Sequence, residues 1–184
     1  MASITNRFTY FNRGLIKYPM IRLILIRHAE SERNAGEKLL PNRLTNKGQK
    51  QAKQLARYLA DNQIDFFYCS NTPRSMETLE EIIKGRGGEF DIALSHLIKP
   101  KTKSEKFEQV KRRTELFIED LKIEFEKEAT VAVISHKIPI QMMLLALTGK
   151  QHESENGSVS VVEISETEIK PVVINQTEHL NHSK

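Results

Sequence analysis

Two short apolar runs limit what this chain can fold into: IRLILI at residues 21–26 and TVAVI at residues 130–134. Both are rich in β-branched residues and leucine, and both are far shorter than the ~20 residues of a membrane span. A strand with one wet face alternates polar and apolar residues. A nearly continuous run reads instead as a strand buried on both faces, as in a parallel sheet covered by helices.

The segments between these runs have helical spacing. Thr45 is placed as an N-cap for a helix to about Ala60, with Ala52, Leu55, Ala56 and Leu59 as its apolar stripe. DFFYC at 65–69 reads as a second strand. Thr72–Pro73 opens a second helix, with Met76, Leu79, Ile82 and Ile83 inward and Gly85 as its stop. Phe90–Leu94 is a third strand. Ser104 is placed to cap a long helix to about Lys127, with Phe107, Val110, Phe117 and Leu121 inward. A mostly apolar helix covers Ile138–Leu147, ended by Thr148–Gly149. Val159–Ile164 and Glu168–Ile174 form a closing hairpin. The alternation predicts an α/β fold: a three-layer α/β/α sandwich with a mainly parallel central sheet and a C-terminal antiparallel hairpin.

Composition supports one domain at 21–184, behind a basic extension at 1–20. The chain has 184 residues, 39% of them hydrophobic, enough for a sizeable core. Four basic residues and no acid fall within residues 1–22, as in organelle transit peptides or in a short segment lying on the domain. They account for the net charge of +4, and the rest of the chain is balanced. That balance argues against a general nucleic-acid binder, and no apolar run suits a membrane. The single cysteine, Cys69, excludes a disulfide framework and makes the cytoplasm the expected compartment. The apolar helix from Ile138 leaves pairing with a second copy open.

In an open parallel sheet, ligands bind outside the carboxyl ends of the strands. Arg27-His28, Ser70-Asn71 and Ser135-His136 each follow a predicted strand, and Arg74 opens the helix after the second. Two arginines and two histidines therefore meet at one edge. Arginines are brought together cheaply only around an anion, and guanidinium suits phosphate. The pattern lacks zinc-ligand spacing, a G-x-S-x-G elbow and a phosphate-binding G-x-x-x-x-G-K-[ST] loop.

LILIRHAESERN, NRLTNKGQKQAKQLARYL, YCSNTPRSMETLE, VAVISHKIPIQMMLLALTG and ENGSVSVVEI together resemble the histidine phosphatase superfamily, the phosphoglycerate-mutase-like enzymes. The resemblance covers about residues 21–180. It implies a phosphatase of phosphomonoesters or phosphoramidates, acting without metal or cofactor on a phosphorylated small molecule or phosphoprotein. His28 would carry the phosphoryl group as phosphohistidine. Arg27, Asn34, Arg74 and His136 would hold its oxygens, with His136 also catalytic. Glu30 would brace the loop.

Two features depart from the family pattern. Ala29 and Lys137 replace common glycines, and Lys137 adds charge near the mouth. The family's acidic residue after the third strand has no clear counterpart, leaving Glu105, His96 or no general acid. General acid help is worth roughly 10²–10⁴-fold, so its absence favours good leaving groups. The stretch between Arg74 and His136 is short for a lid, which disfavours a phosphoglycerate-type mutase. A catalytically weak phosphate-binding module is the reading from another class. Lys99–Arg113, with seven basic residues, reads as a solvated face that also steers an anion.

Overall fold

Leu23 and Leu25 face one way along the first strand and Ile24 and Ile26 the other, and all four are buried. This is why IRLILI lacks polar alternation. The computed structural model describes residues 19–36, 42–86 and 89–181. The basic extension, apart from Pro19 and Met20, lies outside the described residues.

The strands are β1 (Ile21–Arg27), β2 (Phe66–Cys69), β3 (Asp91–Leu94), β4 (Ala129–Ser135), β5 (Val159–Ile164) and β6 (Ile169–Gln176). The helices are α1 (Asn46–Tyr58), α2 (Pro73–Lys84), α3 (Phe107–Glu124) and α4 (Lys137–Thr148). The sheet order is β3-β2-β4-β1-β5-β6. The first four strands in that order are mutually parallel, and β5 runs antiparallel to both β1 and β6. This is the expected mainly parallel sheet with a closing hairpin.

Each sheet face has its own helices. On one, Phe117 and Leu121 of α3 and Met143 and Leu144 of α4 cover Leu23, Leu25, Val131 and Val133. On the other, Leu55 of α1 and Leu79 and Ile82 of α2 cover Ile24, Ile26, Phe67 and Ile134. The chain leaves β1 toward β2 and leaves β4 toward β5, on opposite sides of the sheet. The carboxyl ends of β1 and β4 are thus a point where connections diverge and a crevice forms.

Most local signals operate as expected. The Thr45 hydroxyl accepts the Gly48 N–H at 3.0 Å, Pro73 occupies the first position of α2, and Gly149 ends α4 at φ 71°. The long helix differs. It starts at Phe107, not after Ser104, and Phe107 is 52% exposed rather than inward. Residues 102–105 form a turn in which the Glu105 carboxylate accepts the Thr102 N–H, and the start moves to Lys106, whose N–H is held by Gln109 Oε1.

Candidate active site

Arg27 and Ser135 are paired at the ends of β1 and β4, and the His28 N–H donates to the Ser135 carbonyl at 3.0 Å. His28 is therefore the first residue past one central strand, and His136 the first past its neighbour. Ser70 follows β2, with its N–H on the Ile134 carbonyl. Arg74 stands in the first turn of α2, directly after Pro73. Three strand ends and one helix start thus deliver four side chains to one crevice, as the sequence implied.

Their hydrogen bonds assign the protons. His28 Nδ1 lies 2.7 Å from the Ala29 carbonyl, an acceptor, so Nδ1 carries the hydrogen. His28 Nε2 then has a free lone pair, which accepts from Arg74 Nε at 3.2 Å. His136 is the reverse. Its Nδ1 accepts from Arg74 Nη2 at 3.1 Å, so its Nε2–H donates to the Ser70 hydroxyl at 2.8 Å. Arg74 bridges two imidazoles whose ring centroids are 5.0 Å apart.

Burial and charge keep both rings neutral. His28 is pushed down to about 3, first by desolvation and then by Arg74. His136 lies well below its ordinary value, for burial first and then for His28 and the arginines. Arg74 itself falls to about 10, through burial and then the neighbouring Arg33 and Arg27. An anion placed here would relieve all these costs at once.

Arg27 is held from behind. Its Nη1 donates to the Ser154 carbonyl at 2.5 Å and its Nη2 to Asn156 Oδ1 at 2.9 Å. Its Nε–H is buried with no partner among the described residues. Asn156 is a hub: its Nδ2 also reaches the His28 carbonyl at 3.1 Å, the Ala29 carbonyl at 3.4 Å and Asn34 Oδ1 at 3.2 Å. Asn34 Oδ1 further accepts from the Ser31 N–H and hydroxyl, which leaves the Asn34 amide N–H groups for a ligand.

Asn156, Ser70 as partner of His136, and Arg33 are contributors that the sequence reading did not assign. Only ENGS, ahead of a strand, offered a signal for Asn156. Its partners lie more than 120 residues away. Arg33 sits beside Asn34 in the quoted run and was legible there.

Glu105 is not positioned as a proton donor. Both its oxygens pair with Arg113, at 2.7 and 3.2 Å, and Arg113 also holds the Leu97 and Lys99 carbonyls. The Arg113 guanidinium keeps this carboxyl below its usual range. It braces the loop that leads from β3 to α3. His96 is exposed on that same loop, in a 3-10 turn, and makes no side-chain hydrogen bond to the cluster. Glu30 braces as expected: its carboxylate accepts from the Thr45 hydroxyl and from Lys47, and its N–H donates to Gln51.

The chain and its fold have counterparts among known proteins. The chain is 29% identical to phosphoserine phosphatase 1 of Hydrogenobacter thermophilus, over 88% of this chain and 95% of the relative. Its fold matches a phosphoserine phosphatase from Entamoeba histolytica (TM-score 0.73, 20% identity, 87% of this chain and 99% of that one). It also matches phosphoglycerate mutase from Bacillus anthracis (TM-score 0.79, 15% identity, 90% and 97%). At those identities the two structures speak to fold alone. The profile of the histidine phosphatase superfamily (branch 1) matches residues 23–95 and 89–177, a span that contains both histidines and all three arginines of the crevice, and the chain belongs to that family.

Proposed function

We propose that this protein is a phosphatase that hydrolyses phosphate esters through a phosphohistidine on His28. One observation carries the reading: the Ala29 carbonyl fixes the Nδ1–H of His28 and turns an unprotonated Nε2 toward the Arg74 guanidinium. A nucleophilic histidine needs that tautomer, and it must be neutral before attack.

A phosphoryl group bound at Arg74 takes the two N–H groups that now end on the histidines. The His28 lone pair is released as its competitor is drawn away. His28 Nε2 attacks phosphorus, the bond to the leaving oxygen breaks, and the leaving group departs as an alkoxide or phenoxide that takes its proton from solvent. Water then attacks phosphorus, the P–N bond breaks, and phosphate leaves with His28 neutral again. Arg74, the Nε–H of Arg27 and the Asn34 amide stabilise the phosphoryl oxygens, whose charge is what this reaction asks a protein to manage. The bound dianion also favours protonation of His136. Its Nδ1–H then donates to a phosphoryl oxygen while Ser70 keeps Nε2–H. No carboxyl of the described residues hydrogen-bonds into the cluster, so acidic alcohols are the better leaving groups.

The kinship with a phosphoserine phosphatase supports hydrolysis over transfer. Among the described residues no helix is long and apolar enough to cross a membrane. The free, buried Cys69 thiol suits a reducing cytoplasm.

The test is a rapid-quench experiment with p-nitrophenyl phosphate in the presence of a chelator. An acid-labile, base-stable phosphoenzyme that is absent from His28→Ala is expected. Turnover that requires metal and survives in His28→Ala overturns the reading.

A further inference from the structure

Beside the crevice, between α3 and α4, lies a cavity of about 820 Å³. One face of α4 supplies Ile138, Met142 and Leu145, at the i, i+4, i+7 spacing that aligns side chains along a helix. Phe107, at the start of α3, supplies the opposite wall. Its exposure, unexpected for a position read as inward, has this cavity as its setting.

The cavity adjoins the crevice on two sides. Lys137 at its rim directly follows His136, and Glu153 at its rim directly precedes Ser154, whose carbonyl holds Arg27. Lys137 and Glu153 join across the rim at 2.9 Å. From Lys137 to Leu145 the helix rises roughly 12 Å, at about 1.5 Å per residue.

The chemistry of the lining selects a ligand class. Lys137 is neutralised by Glu153, and Lys111 by Glu115. Among the described residues that line it, no uncompensated pair of cations waits for a second phosphate. The rest of the lining sets the Ile138–Met142–Leu145 stripe and the Phe107 ring beside four polar side chains, Glu108, Gln141, Gln151 and His152. Of these, Gln141 is held by the His152 carbonyl and the His152 ring by the Thr148 hydroxyl. The volume falls within the ~300–1,000 Å³ typical of pockets for drug-sized molecules, far more than a short polar alcohol fills.

We propose that this cavity receives the alcohol part of the phosphate ester, and that the substrate is a monoester of a bulky, uncharged alcohol with an apolar or aromatic face that packs on Ile138, Met142, Leu145 and Phe107. The inference rests on the phosphatase reading above and adds the substrate class. The phosphate sits at Arg74, and the apolar body lies past the Lys137–Glu153 rim along Ile138, Met142 and Leu145.

The experiment compares phenyl phosphate with biphenyl-4-yl phosphate, whose phenols are of similar acidity, so that leaving-group chemistry is held nearly constant. The wild type is expected to favour the biphenyl ester by roughly tenfold or more in kcat/KM, through apolar burial alone. Met142→Glu and Phe107→Ala, each checked for an unchanged thermal melt, are expected to bring that ratio toward one. Binding of both esters to His28→Ala, followed by calorimetry, gives the same ratio without chemistry. A wild-type ratio near one, a ratio that neither folded variant moves, or a clear preference for a phosphoserine peptide over the biphenyl ester overturns the proposal. Failure of the phosphatase reading looks different: neither ester is turned over, while the binding ratio on His28→Ala still reports on the cavity.

Discussion

His28 and His136 face each other across 5.0 Å and carry their protons on opposite ring nitrogens. The difference comes from their second partners. A carbonyl at Ala29 can only accept, and the Ser70 hydroxyl accepts from His136 because Arg74 occupies the other nitrogen. One guanidinium thus reads two histidines and gives them different chemistry.

Acid should loosen the fold through these rings. Both are neutral in the folded state, His28 down to about pH 3, whereas in the unfolded chain a histidine takes up its proton near 6.5. Between those values the unfolded state binds more protons, so stability present above pH 6.5 is lost as pH falls. The slope approaches roughly 1.4 kcal/mol per pH unit for each histidine. Melting temperatures from pH 7 to pH 4 measure it, and His28→Gln is expected to flatten the curve. Nitrogen-15 shifts of the rings should show the two neutral tautomers over the same range.

Arg74→Lys keeps the charge and loses the fork. A point-like ammonium cannot reach both imidazoles and then both phosphoryl oxygens. The expected loss in kcat/KM is roughly 10²–10³-fold, with the fold retained. Steady-state kinetics with an aryl phosphate decide it.

Asn156 positions Arg27 and the His28–Ala29 backbone without reaching the phosphate. Asn156→Ala is expected to lower kcat roughly tenfold with little change in KM. Asn156→Asp should not rescue it. Its carboxylate still pairs with Arg27, but it faces the His28 and Ala29 carbonyls and Asn34 Oδ1 with no donor. A merely structural role would instead lower the melting temperature and leave both constants per folded molecule intact.

Glu105→Gln should affect stability alone. The pair with Arg113 is mostly shielded, with side-chain exposures of 12% and 11%. Leaving the Arg113 charge without its partner costs about 3 kcal/mol. The dependence of rate on leaving-group acidity should be identical to wild type. A steeper dependence in Glu105→Gln would restore Glu105 as the acid.

Gly48 is set by contact. A Cβ there would lie 1.9 Å from the Glu30 carbonyl oxygen, which already accepts the Thr45 N–H. Gly48→Ala gains about 1 kcal/mol in helix propensity and still destabilises by roughly 2 kcal/mol overall, because backbone cannot yield as a side-chain tip can. Denaturant melts measure this, and the displaced Glu30 loop should lower activity as well.

Local chemistry made much of this protein legible. The uninterrupted run at 21–26 announced a strand buried on both faces, and Thr45, Pro73 and Gly149 marked helix boundaries by their own capping and backbone preferences. Because strand ends in a parallel sheet share one edge, His28, Arg74 and His136 could be brought together before any contact was known. What the sequence could not supply was side-chain geometry across long separations. Glu105 was an acid candidate by position along the chain, and the fold gave both its oxygens to Arg113. Phe107 was inward by periodicity, and the helix began two residues later than expected and left it beside an open cavity. Asn156 had only the ENGS stretch ahead of a strand as a signal and no role assigned from it, since that role exists only where β1 and the turn before β5 meet. Sequence determined which elements form and which edge they share, because those follow from local burial and backbone preference. Tertiary structure alone decided which nitrogen of each histidine is free, which carboxylate is occupied and what lies beside the clamp, because each depends on partners that only folding brings within hydrogen-bonding distance.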